Sequence, residues 1–186
     1  KYYLKHGEEV IWNMPIFKFA AKKIYVSCIF DWNKPKCSEW EKSKNVVIGG
    51  SGYDIQSVLP PEIEEEKIHL NFGFTSRGCV RKCWFCIVPK KEGNIKAVGD
   101  IYDLWDGESK NIKLLDNNIL ALPEHFMIIT DQILKENLIV DFNQGLDHRL
   151  LNGKIIDRRK ELQNKRLIHK KEIRFAWDDG TDREST

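Results

Sequence analysis

The sequence predicts an α/β protein in two parts, a small Rossmann-like α/β layer followed by a partial (β/α) barrel truncated after about four strands. Three observations carry this. Short runs rich in β-branched and aromatic residues crowd the first sixty positions. Leu59 to Lys67 (LPPEIEEEK), with two prolines and four glutamates, then interrupts them as a linker. Beyond it, strand-like runs alternate with helical ones at spacings that leave room for crossover helices.

In chain order, Lys1 to His6 reads as the end of a helix stopped by Gly7. Val10 to Trp12, Ile24 to Phe30 and Val46 to Ile48 read as buried strands of a small sheet, closed by Gly49-Gly50-Ser51-Gly52. That glycine run lacks G-x-G-x-x-G and a clear helix start, so a turn is the simpler reading than a nucleotide loop. Trp32 to Lys44, with Pro35 and alternating charge, reads as a surface loop or short helix. The expected domains are residues 1–61 and 68–186, with 62–67 between them.

The second part opens with Ile68 to Phe74, where Ile68, Leu70, Phe72 and Phe74 take every second position. Further strands are expected at Ile112 to Leu115, Leu138 to Phe142 and Ile173 to Trp177. Helices are expected from Asp100 (a short one), from Pro123 to Lys135 with Phe126, Ile129, Ile133 and Leu134 on one face, and near Asn152 to Asn164. Strand starts lie 44, 26 and 35 residues apart, which predicts parallel strands joined by right-handed crossovers. Sites in such sheets gather beyond the carboxyl ends of the strands, here after Phe74, Leu115, Phe142 and Trp177.

Composition narrows the function classes. With 41% hydrophobic and 31% charged residues the chain is neither disordered nor collagen-like. No run approaches the ~18 apolar residues of a membrane span, and Lys1 to Val10 is too charged for a signal peptide. A soluble, cytoplasmic protein without membrane contact is expected. Thirty Lys and Arg stand against 28 Asp and Glu, interleaved, so a nucleic-acid partner is unsupported. Five cysteines, three of them clustered, suit a reducing cytosol better than a secreted disulfide framework. A start without Met, at the end of a helix, leads us to expect a piece of a larger enzyme.

The loop after the first strand of the second part is Thr75-Ser76-Arg77-Gly78-Cys79-Val80-Arg81-Lys82-Cys83-Trp84-Phe85-Cys86, a C-x3-C-x2-C array. Three thiolates this close can converge on one metal centre. Cys₄ zinc and ordinary ferredoxin clusters need a fourth ligand, and zinc pairs commonly come as two C-x2-C units where this loop has one. A 4Fe-4S cluster on three cysteines leaves one iron open to a small molecule. A zinc-stabilised binding module and an iron-sulfur protein that only carries electrons are the alternative readings. Cys28, inside a β-rich run, reads as a small buried hydrophobe, and Cys37, far upstream, as an incidental thiol. The five histidines form no H-x3-H pair.

Cys79, Cys83, Phe85 and Cys86 resemble the signature of the radical S-adenosylmethionine enzymes, C-x3-C-x-(aromatic)-C on the loop after the first barrel strand. The resemblance covers roughly Ile68 to Asp179. It implies a barrel of the radical S-adenosylmethionine type, with a 4Fe-4S cluster on Cys79, Cys83 and Cys86 whose open iron chelates the amino and carboxylate groups of S-adenosylmethionine. One electron from an external donor then cleaves the sulfonium, and a 5'-deoxyadenosyl radical abstracts hydrogen from an unidentified substrate. Phe85 is implied near the adenine. Arg77, Arg81 and Lys82 either offset the cluster's negative charge or are solvated loop cations.

Asp116-Asn117-Asn118 stands where the family often has Gly-Gly-Glu for the methionine amino group, and is read either as acceptors for that ammonium or as a turn. Asn143 and Gln144, opening the run to Arg149, either meet cosubstrate or substrate or form a capped turn. Asp178 and Asp179 are candidates for the ribose hydroxyls or for a helix start. Lys1 to Pro61 resembles a trimmed cobalamin-binding domain, but Asp-x-His-x-x-Gly is absent and cobalamin is not expected.

Overall fold

The structure, a computed structural model, describes residues 2–12, 20–64, 70–144 and 146–165. The proposed fourth strand at Ile173 to Trp177, Asp178 and Asp179, the start of the first barrel strand at Ile68 and residues 65–67 lie outside the described residues. The chain divides into two compact units, Lys1–Glu66 and Lys67–Thr186.

In the first unit, α1 (Tyr2–Lys5) is followed by Gly7 in the left-handed region, and β1 (Ile24–Ser27) pairs in parallel with β2 (Val46–Gly49). Their connection contains a 3-10 turn at Asp31–Asn33, α2 (Lys34–Ser38) with Pro35 in its first turn, and a second 3-10 turn at Glu39–Lys42. Val10 to Trp12, expected as a strand, has no strand pairing, and Trp12 is 79% exposed. An apolar triplet next to charged Glu8 and Glu9 has too little length to earn a place in the sheet. The glycine run after β2 folds back onto β1. Gly52 N–H donates to Cys28 O at 2.9 Å, and a Cβ on Gly50 (φ +102) would overlap that same carbonyl. Within the expected linker, Pro61–Glu64 forms one helical turn, α3.

The second unit holds β3 (Phe72–Gly73), β4 (Ser76–Arg77), α4 (Val88–Lys91), β5 (Lys96–Ala97), β6 (Asn111–Leu114), α5 (Pro123–Lys135), β7 (Ile139–Phe142) and α6 (Gly153–Lys165). Strands β3, β6 and β7 form a parallel sheet in that order, with Gly73 opposite Leu114 and Leu114 opposite Phe142. A separate two-residue antiparallel ladder joins β4 to β5. Among the described residues no sheet closes into a barrel. Among the described residues the period-two stretch to Phe74 pairs at Phe72–Gly73, and Leu70 is exposed. The helix expected from Asp100 is a 3-10 turn, Ile101–Asp103, capped by the Asp100 carboxylate.

One face of the sheet is core. Ile112 and Leu114 of β6 and Val140 of β7 are fully buried against Phe126, Ile129 and Ile133 of α5 and Ile155 and Leu162 of α6. Thr130 joins this buried stripe by donating its hydroxyl to Phe126 O at 2.8 Å, while Leu134 is only partly buried. Asn137, at φ 59, makes the tight return from α5 into β7. The other face of β6 presents Asn111 and Lys113, which are exposed, and Lys113 Nζ lies 3.7 Å from Asp141 Oδ2. A cavity of about 540 Å³ lies there, lined by Asn71, Phe72, Asn111, Lys113, Leu115 and Asn143 among others. Among the described residues no helix is long and apolar enough to cross a membrane.

Candidate metal and cofactor site

The site is built on the loops at the carboxyl ends of β3, β6 and β7. Immediately after β3 and Phe74, Thr75 and Ser76 are fully buried, and each donates both its main-chain N–H and its hydroxyl to Asp116 Oδ1. Four donors on one carboxylate oxygen tie the root of the cysteine loop to the end of β6, two residues past Leu114. Asp116 Oδ1 is thus taken up by the root of the cysteine loop rather than by its own turn. Its Oδ2 is buried and has no hydrogen-bond partner among the described residues. His125 of α5 adds a tie from below, its Nε2–H donating to Thr75 O at 3.1 Å.

Gly78 carries φ +87, and a Cβ there would overlap the Asn94 carbonyl, so the loop's entry requires glycine. Cys79 N–H donates to Gly93 O at 3.2 Å, which brings the two ends of the cysteine loop together. The closure is held by Glu92, just past α4, whose side chain is 13% exposed. Its Oε2 accepts from Gly78 N–H at 2.9 Å and from Asn117 Nδ2 at 2.8 Å, and its Oε1 pairs with Arg77 Nη2 at 2.9 Å. Arg77 also lies over the Phe74 ring at 4.1 Å. Glu92 and His125 were not singled out by the sequence reading, because their partners are distant in the chain.

Among the described residues Cys79, Cys83 and Cys86 form no disulfide, and each is partly buried. Cys79 Sγ accepts from Arg81 N–H at 3.3 Å and lies 3.7 Å from Asn118 Nδ2, and Cys86 N–H closes a turn onto Cys83 O at 3.0 Å. Among the described residues no three His, Cys, Asp or Glu side chains are gathered closely enough to hold a metal ion. The donor set nonetheless fits a thiolate-held cluster in its chemistry: three unbridged cysteines share one closed loop, with N–H donors already on one sulfur. Cys28 and Cys37 belong to the other unit and are buried. Burial, and then the hydrogen bond with Cys37, push the Cys28 thiol pKa up.

Asn118 is buried and reaches Asp147 Oδ2 with Nδ2 at 3.4 Å, which leaves Oδ1 buried without a partner among the described residues. Asp147, in the loop after β7, has a side chain 5% exposed. It accepts from Arg81 Nε at 2.7 Å on Oδ2 and from Arg149 Nε at 2.8 Å on Oδ1. Burial pushes its carboxyl pKa up, but the hydrogen bonds and charges of Arg149 and Arg81 outweigh this and the net shift is downward. Two of the three cations expected around the cysteines, Arg77 and Arg81, are thus held by carboxylates.

The structure brings Cys79, Asn118 and Asp147 together, and ties Asp116 and Asn117 to the same loop through Ser76 and Glu92. It places Asn143 on the lining of the sheet-face cavity, and Gln144 is exposed. Phe85 is 52% exposed and meets Trp84 edge-on at 5.5 Å. Lys113 and Asp141, on the cavity face, were not singled out from the sequence; their signal was a charged residue at alternate positions of otherwise apolar parallel strands. No family model, curated protein or solved structure matches this chain.

Proposed function

We propose that this chain is a radical S-adenosylmethionine enzyme that holds a 4Fe-4S cluster on Cys79, Cys83 and Cys86. The observation that carries the reading is a pair of buried acceptors, Asp116 Oδ2 and Asn118 Oδ1, that have no partner among the described residues, on the segment that also reaches the Cys79 sulfur. Leaving a buried acceptor unsatisfied costs about 1–3 kcal/mol, and two acceptors from one segment call for a ligand that brings several N–H donors. The ammonium of S-adenosylmethionine is such a group.

Cys79, Cys83 and Cys86 would hold the cluster, which when bound would supply an electron, taken from an external donor, for splitting S-adenosylmethionine into methionine and a 5'-deoxyadenosyl radical. The chain's own residues do the rest by position. Thr75 and Ser76 hold Asp116 by Oδ1 so that Oδ2 keeps one direction, and Asp147 does the same for Asn118. Glu92 closes the cysteine loop at its base, and Phe85 offers a flat face for the adenine. The cavity on the sheet face, where Lys113 and Asn143 stand beside Phe72 and Leu115, offers room for a substrate.

The test is anaerobic reconstitution with iron and sulfide. A brown protein with a broad visible band, a spectrum that changes on adding S-adenosylmethionine, and 5'-deoxyadenosine on adding dithionite are expected. A colourless protein carrying zinc, or an iron-sulfur spectrum indifferent to S-adenosylmethionine, would overturn the reading in favour of a zinc module or an electron carrier.

A further inference from the structure

Both N–H groups on the Cys79 sulfur trace back to one carboxylate. Asp147 Oδ2 accepts from the Arg81 side chain, whose own main-chain N–H donates to Cys79 Sγ, and from the Asn118 amide, which lies 3.7 Å from the same sulfur. An ionised carboxylate only accepts, so Asn118 must turn its NH₂ toward Asp147, and the second hydrogen of that NH₂ is left for the sulfur. Arg149 pins the other oxygen of Asp147, which removes its freedom to rotate away. The arrangement joins three loops that lie 29 to 66 residues apart in sequence.

We infer that Asn118, oriented by Asp147, is a positioning residue that sets the reduction potential of the metal site through the Cys79 sulfur. The inference rests on the cluster reading above. An N–H dipole aimed at a ligating sulfur stabilises negative charge there, and the reduced cluster carries one more electron than the oxidised one. The donor therefore favours the reduced state. A role confined to folding would change stability and leave the potential where it is.

The experiment is a redox titration of the reconstituted full chain, followed by electron paramagnetic resonance without S-adenosylmethionine, in wild type and Asn118→Ala. Loss of the donor should shift the midpoint to more negative potential, so that at a fixed applied potential the ratio of reduced to oxidised cluster falls about three- to tenfold. A cluster-bearing Asn118→Ala protein with the wild-type midpoint overturns the inference and leaves the cluster reading intact. If that variant fails to hold a cluster, wild type grown on 15N-asparagine decides: pulsed resonance of its reduced cluster should show a 15N coupling, and its absence overturns the inference. A wild-type protein that takes up no iron overturns both.

Discussion

The Nε of Arg81 lies 2.7 Å from Oδ2 of Asp147, a bond across 66 residues of sequence that fastens the cysteine loop to the loop after β7. Because the folded Asp147 carboxyl is shifted downward, its contribution to stability is present above the ordinary carboxylate pKa of about 4 and is lost as pH falls through the lowered value. Urea unfolding of the metal-free protein should therefore separate wild type from Asp147→Asn at pH 7, by about 1–3 kcal/mol. This is below a fully buried pair, since the arginine side chains are 36% and 28% exposed. The difference should shrink toward zero between pH 4 and lower values. A gap that stays constant with pH would remove Asp147 titration from the account.

Glu92 satisfies Gly78 N–H, the Asn117 amide and the Arg77 guanidinium at once. Glu92→Ala strands all three in a partly buried place, and a loss of about 1–3 kcal/mol in unfolding free energy is expected. Iron retention after gel filtration should fall with it. Glu92→Gln, which can still accept from Gly78 N–H and Asn117, should lose less of both.

Gly78 and Gly93 both have positive φ, yet only Gly78 faces an obstacle, the Asn94 carbonyl. Gly93→Ala should cost about 1–2 kcal/mol from the left-handed backbone alone. Gly78→Ala should cost more and reduce iron uptake, because the loop's entry has to move. Thermal melts of the two variants check the order.

Alanine at Cys79, Cys83 or Cys86 should each abolish the cluster, whereas Cys28→Ser with Cys37→Ser should keep its colour and spectrum. The two upstream thiols are buried in the other unit. Iron and sulfide analysis is the readout, and a full cluster in Cys83→Ala would remove the three-cysteine assignment.

The segment Asp116 to Asn118 is not uniform. Asn117 donates its amide to Glu92, while Asp116 and Asn118 each keep a buried oxygen without a partner among the described residues. Asn118→Ala should weaken S-adenosylmethionine binding about tenfold to a hundredfold, the worth of one charge-assisted hydrogen bond. Asn117→Ala should weaken it less, and calorimetry on the reconstituted protein compares them.

What could be read along the chain was local. The C-x3-C-x-Phe-C spacing needs only eight consecutive residues, and the apolar stripe of Phe126, Ile129 and Ile133 needs only the 3.6-residue period. The alternation of Asn111 and Lys113 with Ile112 and Leu114 likewise marks a strand with two unlike faces, and the structure shows the charged one bordering a cavity. Periodicity misleads where a run is short: Val10 to Trp12 has strand-forming residues and no pairing.

The partners of the polar residues depend on loop closure, which no local pattern encodes. Asp116 reads as a turn former, yet the parallel pairing of β3 with β6 delivers it to Thr75 and Ser76, forty residues earlier. Glu92 reads as one more surface charge until the β4–β5 ladder and the turn at Gly93 bring it beneath Gly78. Asp147 gains its meaning only when β7 lies next to β6, so that Arg81 of the cysteine loop and Asn118 of the loop after β6 meet one carboxylate. A side chain's type sets what it can bond, but strand order and register set what stands within 3 Å of it.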